Sequence, residues 1–123
     1  MANELAKLVL KGDKTATASA FVQYKVNNEP LPKVNKEVFD ILLDGEENPI
    51  AILENIKVYV TTFDKVTDEH AYKEGEGDKS LTYWKKVHYD FWAQIFDFEN
   101  IKNVDIEKMK VVCEEFRVVW NDK

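Results

Sequence analysis

The chain has 123 residues with 17 basic and 23 acidic side chains, a formal net charge of −6. That balance argues against a protein that grips long nucleic acid, DNA included, through many phosphates, because such affinity comes from clustered Lys and Arg. It leaves open a nucleoside, a nucleotide or a short single strand held in a local basic pocket. Apolar residues make up 45% of the chain, with seven Phe, five Tyr and three Trp, so a folded domain is expected and not a disordered tail. One domain over residues 1–123 is expected, since halving the chain would leave two pieces each too small for a secure core. No run approaches the roughly 20 apolar residues that cross a bilayer, and Glu4 and Lys7 interrupt the N-terminal apolar stretch where a secretory signal would have none. Cys113 is the only cysteine, which excludes an intramolecular disulfide and points to a reducing, cytoplasmic setting.

In chain order, Ala2 to Lys11 fits a short helix with Leu5, Leu8 and Val9 on one face and Gly12 as its terminating glycine. Ala18, Ala20, Val22, Tyr24 and Val26 then alternate with more polar neighbours, which predicts a half-buried strand. The prolines and asparagines of Asn27 to Pro32 predict a loop. Val38 to Leu43 reads as a second strand closed by a turn at Asp44-Gly45. Ile50 to Phe63 reads as a long strand whose phase falters at Glu54-Asn55, the mark of a bulge or bend. Thr67 is a plausible N-cap of a short helix through Ala71 that ends near Gly75. Asp78 or Ser80 can cap the next helix, where Leu81, Trp84, Val87 or His88, Phe91 and Ile95 recur at helical spacing. Met109 to Trp120 closes the chain as a Val-rich strand. Strands and helices do not alternate evenly, so the expected class is α+β: a small mixed or antiparallel barrel with two or three helices packed at its ends.

The segment Gly12 to Ser19 carries a lysine and three hydroxyls where a helix gives way to a strand. Thr17 and Ser19 share a face, and Lys14 precedes them. An amine beside a hydroxyl is the minimum equipment for activating a nucleophile or holding a phosphate. Plain strand packing of Thr17 and Ser19 and a solvated Lys14 fit the same residues. His70 and Glu74, four residues apart, could share a metal, but no third ligand is evident and none is expected. His88 and Phe91 fall on the apolar face of the long helix and are read as core, as is Trp84. Cys113, between valines, reads as a small buried hydrophobe. Glu76 and Asp78 fit solvating or capping roles.

The helix entry Asn3-Glu4-Leu5-Ala6 through Gly12, the run Lys14-Thr15-Ala16-Thr17-Ala18-Ser19, the loop Glu29-Pro30-Leu31-Pro32-Lys33-Val34 and the run His70 to Leu81 with Tyr83-Trp84 together resemble the ASCH family over nearly the whole chain. The resemblance implies a PUA-like β-barrel and a role in RNA or nucleotide chemistry, without a cofactor. In the branch of the family similar to N4-acetylcytidine amidohydrolases, the working residues carry over to Lys14, Thr17 and Glu74. That branch often has an arginine where Ser19 stands here. The resemblance therefore implies catalysis by Lys14, Thr17 and Glu74, with Ser19 as a substrate contact; Tyr72 and Tyr83, in or beside the second run, are read as substrate contacts stacking on a base, with simple packing as the alternative. A non-catalytic RNA-binding module, or a ribonuclease using the same lysine, are the alternatives.

Overall fold

A computed structural model describes residues 2–34 and 39–121; of Ala2 and Asn3 it describes the backbone alone. Helix α1 spans Ala2–Lys11, strand β1 Ala16–Ala20 and helix α2 Phe21–Val26. Strands β2 (Asp40–Leu43) and β3 (Pro49–Thr62) follow, then helices α3 (Asp68–Glu74) and α4 (Leu81–Phe98), and strand β4 (Lys110–Asn121) ends the described chain. The four strands form one antiparallel sheet in the order β1-β4-β3-β2, so β1 and β2 are its edges.

The pairing of β3 with β4 breaks register between Ile52 and Leu53 and again between Asn55 and Lys57. An extra residue on one strand bends it and sharpens its twist, and these two breaks curl the long strands into a half-barrel. The expected α+β class and the bend near Glu54-Asn55 are both present. The Val38 end of the predicted second strand lies outside the described residues.

The predicted strand through Val26 is a correction. Only Ala16–Ala20 is strand, and Phe21–Val26 turns into helix α2. Alternation ending in Val22, Tyr24 and Val26 imitates a strand, while six residues are too few to display a helical period. Phe91 is a second correction. It is 57% exposed, because the side of α4 that faces inward carries Trp84, Trp92 and Phe96 instead.

Among the described residues two apolar clusters form, one on each face of the sheet. Ala20, Val111 and Cys113, with Ala18 and Tyr59 against them, pack under Trp84, Trp92 and Phe96 of α4. On the other face, Val9 of α1 packs with Ala51, Leu53 and Phe116. Each fully buried aromatic of α4 contributes about 1.5–3 kcal/mol through lost water contact, so this helix is fixed firmly over the sheet. Its start is held by Ser80, whose hydroxyl accepts from the Tyr83 amide at 3.1 Å. Thr67 caps α3 in the same way, accepting from the His70 amide at 3.1 Å.

Candidate functional site

Three local devices set the geometry around Lys14. Gly12 ends α1 with a positive φ of 83°, which favours glycine, and the amides of Asp13 and Lys14 turn back to the Leu8 carbonyl at 2.9 and 3.0 Å. The Thr15 amide then donates to the Lys73 carbonyl at 2.7 Å, tying the start of β1 to α3. Gly75 ends α3 with φ 73°, and a β-carbon there would overlap the carbonyl oxygen of Asp13. Close approach and left-handed backbone both require glycine at this junction.

The result brings together side chains sixty residues apart. Lys14 is buried, and its Nζ lies 3.6 Å from Glu74 Oε1 and 3.1 Å from Glu76 Oε2. Glu74 is almost fully enclosed and both its oxygens are engaged. Oε2 accepts from Trp84 Nε1 at 2.6 Å and faces His70 Nε2 at 2.7 Å; Oε1 faces Lys14 and, at 3.5 Å, His88 Nε2. Donation from His70 Nε2 leaves its Nδ1 to accept from the Tyr59 hydroxyl at 3.5 Å. His88 stacks on Trp84, ring centroids 4.1 Å apart, and directs Nδ1 at the Trp84 carbonyl 2.9 Å away.

Burial alone would favour the neutral acid at Glu74. The hydrogen bonds from His70 and His88 and the Lys14 charge outweigh it and hold the carboxyl well below the ordinary glutamate range. Glu74 is therefore an anion at neutral pH, suited to orienting its neighbours and not to donating a proton. The void beside it, bordered by Glu74, Glu76, Ser80, Tyr83 and His88, measures about 10 Å³, no more than one water requires. On the Gly12 side of Lys14 there is room: a cavity of about 300 Å³ lies between Val9 to Gly12, Lys14-Thr15 and Phe116 to Val118, with Lys11 and Arg117 among its lining.

Thr17 is not part of the Lys14–Glu74 cluster. It pairs in register with Glu114, on the sheet face opposite Ala18 and Cys113, and among the described residues no hydrogen bond joins it to Lys14 or Glu74. Ser19 shares that face, with its Oγ 2.7 Å from the Tyr24 hydroxyl. Glu114 there accepts from Asn55 at 3.2 Å, and burial raises its carboxyl above the usual range. Tyr72 is 63% exposed, with Lys79 Nζ 5.1 Å from its ring centroid. Tyr83 is partly exposed and its ring closes over Gly77, where a β-carbon would overlap it.

Reasoning from sequence missed His88, Trp84 and Glu76 as partners of the cluster. The one available signal was the four-residue spacing of Trp84 and His88, which puts both on the side of α4 that meets α3. Cys113 is buried among apolar groups, and that burial pushes its thiol up to about 12, so it is inert as a nucleophile. Among the described residues no group of three or more His, Cys, Asp or Glu is arranged to hold a metal ion, and no helix is long and apolar enough to cross a membrane.

The family model of the ASCH domain matches residues 1–120. The chain belongs to the ASCH family. The fold is similar to the crystal structure of an ASCH domain from Lactobacillus crispatus JV V101, at 32% identity and a TM-score of 0.87, covering 97% of this chain and 72% of that one. It is also similar to protein EF3133 from Enterococcus faecalis V583, at 36% identity and a TM-score of 0.83, covering 95% and 68%. No curated protein matches. ASCH domains are generally associated with RNA binding, and here the Gly-x-Lys segment of the domain forms one wall of an open cavity and the lid of a closed ionic cluster.

Proposed function

We propose that this ASCH domain binds RNA or a modified nucleoside in the cavity beside Lys14, and that an N4-acylated cytidine is the substrate class on which Lys14, Thr17 and Glu74 act. The observation that carries this reading is the buried Lys14–Glu74 pair, assembled from residues sixty apart, with Lys14 also lining a cavity of about 300 Å³. A cavity of that size accepts a nucleoside. Its apolar lining, Val9, Leu10 and Phe116, suits a base, while a phosphate would draw on Lys11 and Arg117, which are ion-paired with Asp13 and Glu54.

In this reading Glu74, fixed as an anion, aims the Lys14 ammonium at the oxygen that gains charge as the acyl carbon becomes tetrahedral. Thr17 Oγ attacks that carbon, the carbon–nitrogen bond breaks, and the hydroxyl proton passes to the departing N4 amine. Water then hydrolyses the acyl ester, regenerating the hydroxyl and releasing the carboxylic acid. Attack and charge stabilisation act on one acyl group, so this step requires Thr17 Oγ and Lys14 Nζ, which lie on opposite sides of edge strand β1, to converge when substrate binds. Glu76 occupies the place a ligand's anionic group would take at Lys14. The same reading sets the protein in the cytoplasm, where its one thiol stays reduced.

A second reading is favoured by one observation. Thr17 lies across β1 from Glu74 and shares no hydrogen bond with Lys14, an arrangement suited to RNA binding without hydrolysis. A ribonuclease would use Lys14 in the same electrostatic role at a phosphate. Incubation with N4-acetylcytidine, following cytidine release, decides between them. Turnover lost in Lys14→Ala and Thr17→Val supports hydrolysis. Saturable binding of short RNA without turnover supports the binding module, and turnover indifferent to both substitutions removes the site.

A further inference from the structure

The Glu29–Val34 loop and helix α2 have no part in the Lys14 site, yet they wall a cavity of about 410 Å³. Its lining includes Phe21, Tyr24, Lys25, Asn28, Glu29 and Lys110. Phe21 and Tyr24, three residues apart on α2, present half-buried rings on one side of that helix. Tyr24 is anchored through its hydroxyl to Ser19 Oγ at 2.7 Å, and Lys110 Nζ stands 5.1 Å from the Phe21 ring centroid. Lys25 and Lys110 are exposed, and among the described residues neither is in an ion pair, whereas Lys14, Lys73 and Lys79 all are.

We infer that this cavity is a second subsite for single-stranded RNA, one that stacks a base on Phe21 and Tyr24 and holds adjoining phosphates at Lys25 and Lys110. Aromatic faces flanked by cations outside any ion pair are the recurring equipment for single strands, because every base has a π-face and every link a negative charge. Glu29 repels phosphate and accepts hydrogen bonds, so the edge it meets is that of a base bearing an exocyclic amine. Asn28 offers both donors and an acceptor beside it. The inference rests on the RNA reading of the Lys14 cavity and deepens it. Strand β1 joins the two sites, Lys14 preceding it and Phe21 following it. Its five residues span about 17 Å at a rise of roughly 3.3 Å each. A strand laid along this sheet edge passes Thr17 and Ser19 on its way.

The test titrates the protein with cytidine 5′-monophosphate and, separately, with fluorescein-labelled oligocytidine RNA, read by anisotropy at several salt concentrations. The oligonucleotide is expected to bind more tightly than the mononucleotide. Phe21→Ala is expected to weaken the oligonucleotide about tenfold. Lys25→Ala with Lys110→Ala, both exposed and harmless to folding, lowers the log–log salt slope by about 1.4, at about 0.7 per phosphate contact. Mononucleotide binding stays unchanged in both variants. If the mononucleotide binds and the oligonucleotide binds no better, or if the lysine pair leaves affinity and salt slope intact, the second subsite is overturned and the Lys14 site stands. If neither ligand binds wild-type protein, both readings fall.

Discussion

The two faces of strand β1 and its approach solve opposite problems. On the helix side, Lys14 meets a carboxylate whose two oxygens face four nitrogen groups in a space too small for more than one water. On the far side, Thr17 and Ser19 stand half-buried beside Glu114, with one hydroxyl contact between Ser19 and Tyr24. The first region is fixed by burial and a complete set of hydrogen bonds. The second is lightly tied and open to a ligand. In the proposed site the first would hold a charge still and the second would admit the ligand, with the edge strand dividing them.

The largest expected effect comes from breaking the fixed side. Glu74→Ala leaves His70 Nε2 and the Trp84 indole without their acceptor and the buried Lys14 with Glu76 as its one carboxylate, and unfolding free energy measured in urea should fall by about 3–5 kcal/mol. Glu74→Gln keeps an acceptor and should cost distinctly less. Next is Gly75→Ala, which sets a β-carbon against the Asp13 carbonyl at a positive φ. A loss of about 2 kcal/mol or more is expected, with ligand binding weakened because the Asp13–Lys14 turn must shift. Acid sharpens the same contrast. Glu74 titrates lower in the folded chain than its ordinary value of 4.5. Its contribution is therefore complete above that value and lost as pH falls below it towards the depressed one. Acid unfolding monitored at falling pH should show this loss in wild type and not in Glu74→Gln.

The open side should behave in reverse. Thr17→Val is expected to change stability by no more than about 0.5 kcal/mol, while turnover or RNA affinity drops. The smallest effect belongs to Glu114. Its carboxyl is raised by burial, with Asp40 adding to the effect against the Asn55 hydrogen bond, so its ionised form is the disfavoured one in the fold. Its penalty is absent below the unfolded value and grows as pH rises towards the folded one. Glu114→Gln should stabilise the protein slightly at neutral pH and leave it unchanged in acid, by thermal melts at both pH values.

Much of this contrast was legible in the residues. Gly12 and Gly75 mark helix ends, Thr67 and Ser80 mark helix starts, and the alternation of Thr17 with Ala18 assigns the two faces of β1. The family resemblance singles out Lys14 and Glu74 as expected site residues. Their convergence was not legible, because it depends on Thr15 docking on Lys73 and on Gly75 meeting Asp13, contacts that span about sixty positions. The four partners of Glu74 come from α3, α4 and the chain before β1, and no local pattern announces them. Helix α2 was hidden because six residues with apolar groups at alternate positions satisfy a strand template equally well. Phe91 was misplaced because α4 carries apolar side chains most of the way round, leaving its buried side undetermined by spacing alone.

The most direct measurement follows the Trp84 indole N–H by NMR while N4-acetylcytidine or short RNA is added. That N–H donates to Glu74 Oε2 at 2.6 Å and so reports on the carboxylate that positions Lys14. Ligand beside Lys14 should shift the Trp84 resonance saturably in wild type, and the shift should vanish in Lys14→Ala. A ligand that binds while the Trp84 resonance stays in place would show that the Lys14–Glu74 pair is not at the binding site.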